Sequence, residues 1–439
     1  MYYKIKTYGC QMNIHESEKM AGVLEEMGYE PTQDESLANV IVFNTCCVRD
    51  NAERRIQGNI GILKQEKLHR KDLIIAVVGC MTQQKGAAEL LKKKFPFIDI
   101  ILGTANLSEL KGAILARQKG KRTMSVRADS TIDIDETMPV ARTSYPNAWI
   151  NIMYGCNNFC TYCIVPYVRG RERSRHIEDI LADVKDCLAQ GYKEITLLGQ
   201  NVDSYGSDLQ DGTNFGTLLA EIAKLDGKFR LRFMSSHPKD FDSSVIDVMA
   251  TSDNICNNVH LPVQSGSSRI LKAMNRRYDR DKYLAIIDEI RTKMPSVGIT
   301  TDIMIGFPGE TDEDFEETMS LVEQVRFSNA FMFVFSPRKG TPAAEMPQIP
   351  ADVKKARITR LVATQNRITK EISDTYLGTT LEVLIEDVNP KHEGSVCGRT
   401  ESGRLVTVEG DPDLIGKFVK VKINKNQSAS LFGEIEEIL

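Results

Sequence analysis

Short apolar runs alternate with amphipathic stretches twice along this chain, and that alternation most limits the folds open to it. In the first series, apolar runs at residues 3–8, 40–44, 73–78 and 98–102 are separated by helix-like stretches at 16–27, 51–68 and 84–95. Parallel strands need a long crossover, usually a helix, so residues 1–118 are predicted to form a doubly wound parallel sheet. Residues 119–145 are polar, carry little periodicity and read as a linker. A second series fills residues 146–372, with candidate strands at 148–153, 194–198, 231–234, 258–263, 299–305 and 330–335. That number of units predicts a partial (βα)6 barrel rather than a full eight-fold one. Over residues 373–439 the rhythm changes to strands at 381–385, 395–399, 405–408, 418–423 and 430–434, as expected of a small antiparallel β-barrel able to bind oligonucleotides. The class is α/β with a β-barrel appended.

The first strand of the second series runs into Cys156, Cys160 and Cys163, a C-x3-C-x2-C spacing inside one loop. A structural zinc site would close its tetrahedron with a fourth Cys or His, and none follows within the next dozen positions. An iron-sulfur cube held by three thiolates leaves one iron open. An open iron can be chelated by S-adenosylmethionine, which then accepts an electron. A loop of reduced cysteines and an incomplete zinc knuckle remain the alternatives. The ten cysteines among 439 residues are too sparse for a disulfide framework, so clustered ones read as metal ligands in a reducing compartment. With 41% hydrophobic and 26% charged residues, no leader-like start, and a longest apolar run at 73–81, the expectation is a cytoplasmic, non-membrane protein and by default a monomer.

Cys10, Cys46 and Cys80 each fall at the carboxyl end of a predicted strand in the first series. Those ends line up on one edge of an open sheet, where such folds place ligands, so the three are predicted to meet. Cys47 is the ambiguous neighbour; Cys46 is preferred because it follows Asn44-Thr45 directly. Cys187, Cys256 and Cys397 have no clustered partner and read as structural.

The segments Thr7-Tyr8-Gly9-Cys10-Gln11-Met12-Asn13, Asn44-Thr45-Cys46 and Val78-Gly79-Cys80, together with the Cys156 loop and its continuation through Arg175, form a distinctive set. Leu197–Val202, His260–Ser267, Ile305–Thr311 and Ser336–Pro342 complete it. Together they resemble the radical S-adenosylmethionine methylthiotransferase family over essentially the whole chain. Gln11-Met12-Asn13 and Leu198-Gly199-Gln200-Asn201 resemble the branch acting on isopentenyladenosine in tRNA more than the branches acting on threonylcarbamoyladenosine or a ribosomal-protein aspartate. The resemblance implies two [4Fe-4S] clusters, on Cys156, Cys160 and Cys163 and on Cys10, Cys46 and Cys80, and a C-terminal TRAM domain. It implies replacement of the C2 hydrogen of an adenine by a methylthio group. One S-adenosylmethionine would supply the methyl group and another the 5′-deoxyadenosyl radical. A reductant such as flavodoxin or ferredoxin would supply electrons. Cofactor contacts are expected from Gly199, Gln200 and Asn201, standing where related enzymes have Gly-Gly-Glu, from Ser235 and Gln264 at further strand ends, and from Tyr162 beside the adenine.

A formal charge of −4 gives no global attraction to nucleic acid, so contact with a tRNA anticodon stem-loop must come from local basic surface. Arg169, Arg171, Arg173 and Arg175 are expected to supply it near the cofactor, with Lys420 and Lys422 on one strand face of the terminal barrel, alongside Phe418. Solvated faces are the bland alternative, and a non-catalytic iron-sulfur RNA-binding protein the alternative of another class.

Overall fold

The computed structural model describes residues 1–47, 50–127, 135–427 and 429–439, without the side chains of residues 50–54. The N-terminal sheet has six parallel strands in the order Glu30–Pro31, Tyr2–Thr7, Ala38–Thr45, Ile74–Gly79, Ile100–Leu102 and Thr123–Ser125. The central strands Ala38–Thr45 and Ile74–Gly79 are buried almost throughout, as expected with helices on both faces. Two features depart from the sequence reading. Thr123–Ser125, assigned above to the linker, pairs with Ile100–Leu102 as an edge strand. The first helix begins at Gln11 rather than at 16, so Cys10 is its N-cap. Residues 11–18 are apolar only at Met12 and Ile14, which hides this start from hydrophobic periodicity. Of the linker, residues 128–134 lie outside the described part. Residues beyond them lie along the helix Gln11–Glu26, where Glu18 Oε1 accepts from Thr143 N at 3.0 Å.

The central domain holds two three-stranded parallel sheets. One is ordered Arg230–Phe233, Glu194–Leu198, Asn147–Asn151; the other Asn258–His260, Gly298–Ile305, Asn329–Val334. A parallel bridge between Leu231 and Ile255 carries one toward the other. A single apolar core, including Ile150, Leu197, Leu231, Val259, Ile303 and Leu361, lies between both sheets and their helices. This is the expected partial barrel. Alternation follows from the pleat: in Gly298–Ile305, Ile299, Thr301, Ile303 and Ile305 are buried while Thr300, Asp302 and Met304 line the half-exposed concave face. The 24-residue helix Ala351–Asp374 closes the convex side.

The last five strands form a closed barrel ordered Thr380–Val388, Ser395–Thr400, Leu405–Glu409, Ser430–Ile438 and Phe418–Gln427. All pairs are antiparallel except Leu405–Glu409 with Ser430–Ile438, which is parallel. Its turn at Glu401–Gly403 stops the amino-terminal end of the central barrel. Arg232 donates to the carbonyls of Glu401 at 2.9 Å and Thr400 at 2.7 Å, and Asn258 Nδ2 donates to Ser402 O at 3.2 Å. Gly298 must be glycine here, because a Cβ would lie 2.4 Å from Ser402 O. Glycine, amide and guanidinium at the strand starts thus seat one domain on the other, leaving the carboxyl ends for chemistry.

Candidate cluster and cofactor site

The loop carrying Cys156, Cys160 and Cys163 is held by its own backbone and by one neighbouring turn. Gly155 (φ +77°) lets the chain fold back on itself, since a Cβ would come 2.0 Å from Arg171 O. Asn275 Nδ2 donates to the carbonyls of Asn158 and Phe159 at 3.1 and 3.0 Å, and Thr161 N donates to Met274 O at 3.0 Å. Phe159, Asn275, Ser235 and Gln264 all adopt positive φ without being glycine. Such backbone costs on the order of 1–3 kcal/mol per residue and gathers at functional sites. Burial first, with neighbouring thiols adding, pushes Cys156 up to about 11 and Cys163 up to about 12. Crowded buried thiols that resist ionising one another suit a cation that would take them as thiolates. The buried Arg276 supplies part of that charge, with Nη1 3.6 Å from Cys160 Sγ and Nη2 donating to Pro262 O at 2.9 Å. Sequence reading missed Arg276, which lies outside the quoted segments. Among the described residues no three His, Cys, Asp or Glu side chains close on a single metal ion, so the fit to an iron-sulfur cube rests on the donors and their surroundings.

Cys10, Cys46 and Cys80 do reach one edge of the N-terminal sheet. Cys10 stands at the N-terminus of a 16-residue helix, whose dipole favours negative charge. Cys46 lies beside Gly9, where a Cβ would be 3.0 Å from Cys46 Cβ. Cys47 turns toward Cys80 and packs with it against Ile164 and Val168. A hydrogen bond with Cys47, and then the charge of Arg169, draw Cys80 down to about 7 against the effect of burial. The same hydrogen bond and burial hold Cys47 well above the usual thiol range.

The N-terminal sheet therefore brings Cys80, with Cys47, against the single-turn helix Val165–Arg169, which begins two residues after Cys163. Arg169 ends that helix and bonds Glu16 of the N-terminal domain through both nitrogens, at 2.6 and 3.2 Å. Thr104 Oγ1 donates to Val168 O at 2.6 Å beside it. Arg169 is 3% exposed, and Arg175, 4% exposed, is tied to Glu136, Asp183 and Asn151 O. This corrects the expectation that all four arginines form basic surface: two are buried ion pairs. Arg171 remains exposed, stacked 4.5 Å over Phe159, and Arg173 is half-buried. The terminal barrel's cationic face is corrected likewise. Lys420 is paired with Glu437 at 2.6 Å, Lys422 stands opposite Glu434, and Phe418 is buried beneath Lys228 and Arg230.

At the carboxyl ends, Gly199 has no room for a Cβ, which would lie 2.7 Å from Met153 Cγ. Gln200 Nε2 points at the sulfur of Met12 from the N-terminal domain, and Asn201 Nδ2 donates to Asp240 at 2.8 Å. Gln200 Oε1, Asn201 Oδ1 and both amide atoms of Asn151 are buried with no hydrogen-bond partner. Buried polar atoms are rarely left so, and these acceptors and donors suit a polar ligand. Tyr162 packs with Met304 against Phe307 and Phe335.

A three-thiol loop at the mouth of a partial (βα)6 barrel defines a radical S-adenosylmethionine enzyme. Residues 150–322 match the radical SAM superfamily, residues 2–103 the uncharacterized protein family UPF0004, and residues 374–435 the TRAM domain. The chain is 53% identical over 432 residues to a tRNA-2-methylthio-N(6)-dimethylallyladenosine synthase of Clostridium botulinum, covering 98% of this chain and 96% of that one. It is 48% identical to the synthase of that name from Acetivibrio thermocellus, over 99% and 90% of the two chains. The chain belongs to this family of radical S-adenosylmethionine tRNA methylthiotransferases. Among solved structures, the radical S-adenosylmethionine methyltransferase TsrM from Kitasatospora setae shares the fold, with a TM-score of 0.59 at 15% identity over 78% of this chain and 74% of that one. No helix among the described residues is long and apolar enough to cross a membrane.

Proposed function

We propose that this chain replaces the C2 hydrogen of N6-dimethylallyladenosine, beside the anticodon of tRNA, with a methylthio group. The reading is supported by one arrangement: the helix Val165–Arg169, which follows Cys163 in the cysteine loop, is where Cys80 of the N-terminal sheet packs against Ile164 and Val168. Cys156, Cys160 and Cys163 would hold the cluster that binds S-adenosylmethionine; Cys10, Cys46 and Cys80 would hold the second. When bound, these groups supply a 5′-deoxyadenosyl radical from one S-adenosylmethionine and a sulfur that is methylated by another, chemistry an unactivated C–H bond requires.

The protein's own residues hold and exclude. Gly199 permits close approach of backbone, while the unpartnered amide atoms of Gln200, Asn201 and Asn151 offer hydrogen bonds to the amino acid end of the cofactor. Ser235 and Gln264 present strand-end groups, and Tyr162 forms an apolar wall with Met304. Met12 and Tyr154 seal the domain junction against water. The target base, read from a single-stranded loop, must be splayed into the barrel from its open end. The partners would be the anticodon stem-loop and a small reductant such as flavodoxin or ferredoxin, with a monomer working in the cytoplasm. Mass spectrometry of tRNA nucleosides from cells with and without the protein tests this: the 2-methylthio mark should vanish from dimethylallyladenosine alone. Its loss from threonylcarbamoyladenosine instead would overturn the substrate.

A further inference from the structure

The strand Asn329–Val334 keeps two large apolar side chains in the open. Phe331 is 49% and Phe333 42% exposed, although Ala330 and Met332 between and before them pack into the core. Period-two alternation puts both phenylalanines on the concave face, opposite the side covered by the helix Ala351–Asp374. In register, Asp302 stands beside Phe331 and Met304 beside Phe333. The His260 ring meets Phe331 edge-on at 5.8 Å and is steadied by Thr300 Oγ1, 3.0 Å from Nδ1. Met304 and Tyr162 of the cysteine loop both pack against the cluster that holds Phe307 and Phe335, and Met304 stands beside Phe333, so apolar side chains connect that loop to the strand that carries Phe331.

The geometry points to Phe331 and Phe333 as the surface that receives the N6 substituent of the target adenosine, with Asp302 accepting the one hydrogen left on N6. This rests on the functional reading above and names the part of the site that tells one substrate from another. A dimethylallyl group is a branched hydrocarbon that gains by leaving water for two phenyl faces. A threonylcarbamoyl group carries its own carboxylate, which would be set against Asp302, whose neighbour on this wall, His260 with Nε2 3.7 Å from Asp302 Oδ1, is a cation only when protonated. The wall thus favours the first and repels the second.

The test measures binding of anticodon stem-loop RNA by the anaerobically prepared holoprotein, using RNAs bearing adenosine, dimethylallyladenosine or threonylcarbamoyladenosine at the target position. Burying the equivalent of two methylene groups predicts a preference of about tenfold for the dimethylallyl over the plain RNA. F331A/F333A should bring the two within about twofold, with plain RNA bound as before, whereas F331L/F333L, which keeps apolar area, should retain most of the preference. D302N should raise affinity for the threonylcarbamoyl RNA and leave the dimethylallyl RNA less affected. An alanine pair that keeps the wild-type preference overturns the proposal. So does a wild type that binds all three RNAs alike while cells still show the methylthio mark on dimethylallyladenosine. Absence of that mark sinks the functional reading itself, whatever the binding shows.

Discussion

The two cysteine sets differ in how they are built. Cys156, Cys160 and Cys163 come from one loop, fixed by Gly155 and by Asn275, and could be written down from their spacing alone. Cys10, Cys46 and Cys80 come from the ends of three parallel strands and exist as a group only because the sheet folds. A local loop carries its geometry with it, whereas a set assembled by topology depends on everything that holds the sheet edge in place. The dependence is visible at Val165–Arg169, where the local set's own loop leads into the helix that packs on Cys80 and bonds Glu16.

Removing each set separately gives the largest contrast. Replacing Cys156, Cys160 and Cys163 with Ala should abolish 5′-deoxyadenosine formation and halve the iron of anaerobically reconstituted protein. Replacing Cys10, Cys46 and Cys80 should also halve the iron, yet leave 5′-deoxyadenosine formation in place while methylthio transfer is lost. If either variant loses all of its iron, the sets are not independent and the two-cluster assignment fails.

The junction between the sets comes next in size. Arg169 and Glu16 are a buried pair, and removing one partner leaves the other's charge uncompensated, at a cost of about 3 kcal/mol. R169M should lower the thermal midpoint clearly, and adding E16L should recover part of the loss, because two apolar residues leave no orphaned charge. A midpoint within a degree or so of wild type in R169M would show that the junction is not held there.

Cys46 and Cys47 sharpen the comparison on a smaller scale. A serine at the true ligand should cost the assembled set its iron, read by iron content and the spectrum of the reduced protein, while a serine at the other should cost little. Loss with C46S and retention with C47S is expected. The reverse would move the ligand to the thiol that already bonds Cys80.

What could be read in advance follows the same division. Strand and helix order survived well, because hydrophobic alternation is a local signal. The strand Thr123–Ser125 did not, since three edge residues, with Met124 exposed and its neighbours half-exposed, carry too short a pattern. Arg169 looked like surface charge because its acidic partner, Glu16, is 153 residues away, and Arg175 because Glu136, which shares it with Asp183, is 39 residues away. Arg276 reaches Cys160 from 116 residues downstream. Pairings of that range are decided by packing, to which no spacing rule speaks.

The smallest effect expected is on the terminal barrel. Lys420 is answered by Glu437, and an exposed pair of this kind contributes little, because water screens it. Lys420→Ala with Lys422→Ala removes two cations from a face that Glu382, Glu434 and Glu437 already balance, since Lys420 stands across from Glu382 and Glu437 and Lys422 across from Glu434. Affinity for tRNA should therefore change by less than about threefold, and the slope of log affinity against log salt by less than the two phosphate contacts would require. Arg171→Ala, at an exposed guanidinium beside the cysteine loop, should weaken binding more. A large loss and a slope change near two for the lysine pair would return RNA contact to the barrel strand and leave the cluster-proximal face with the lesser part.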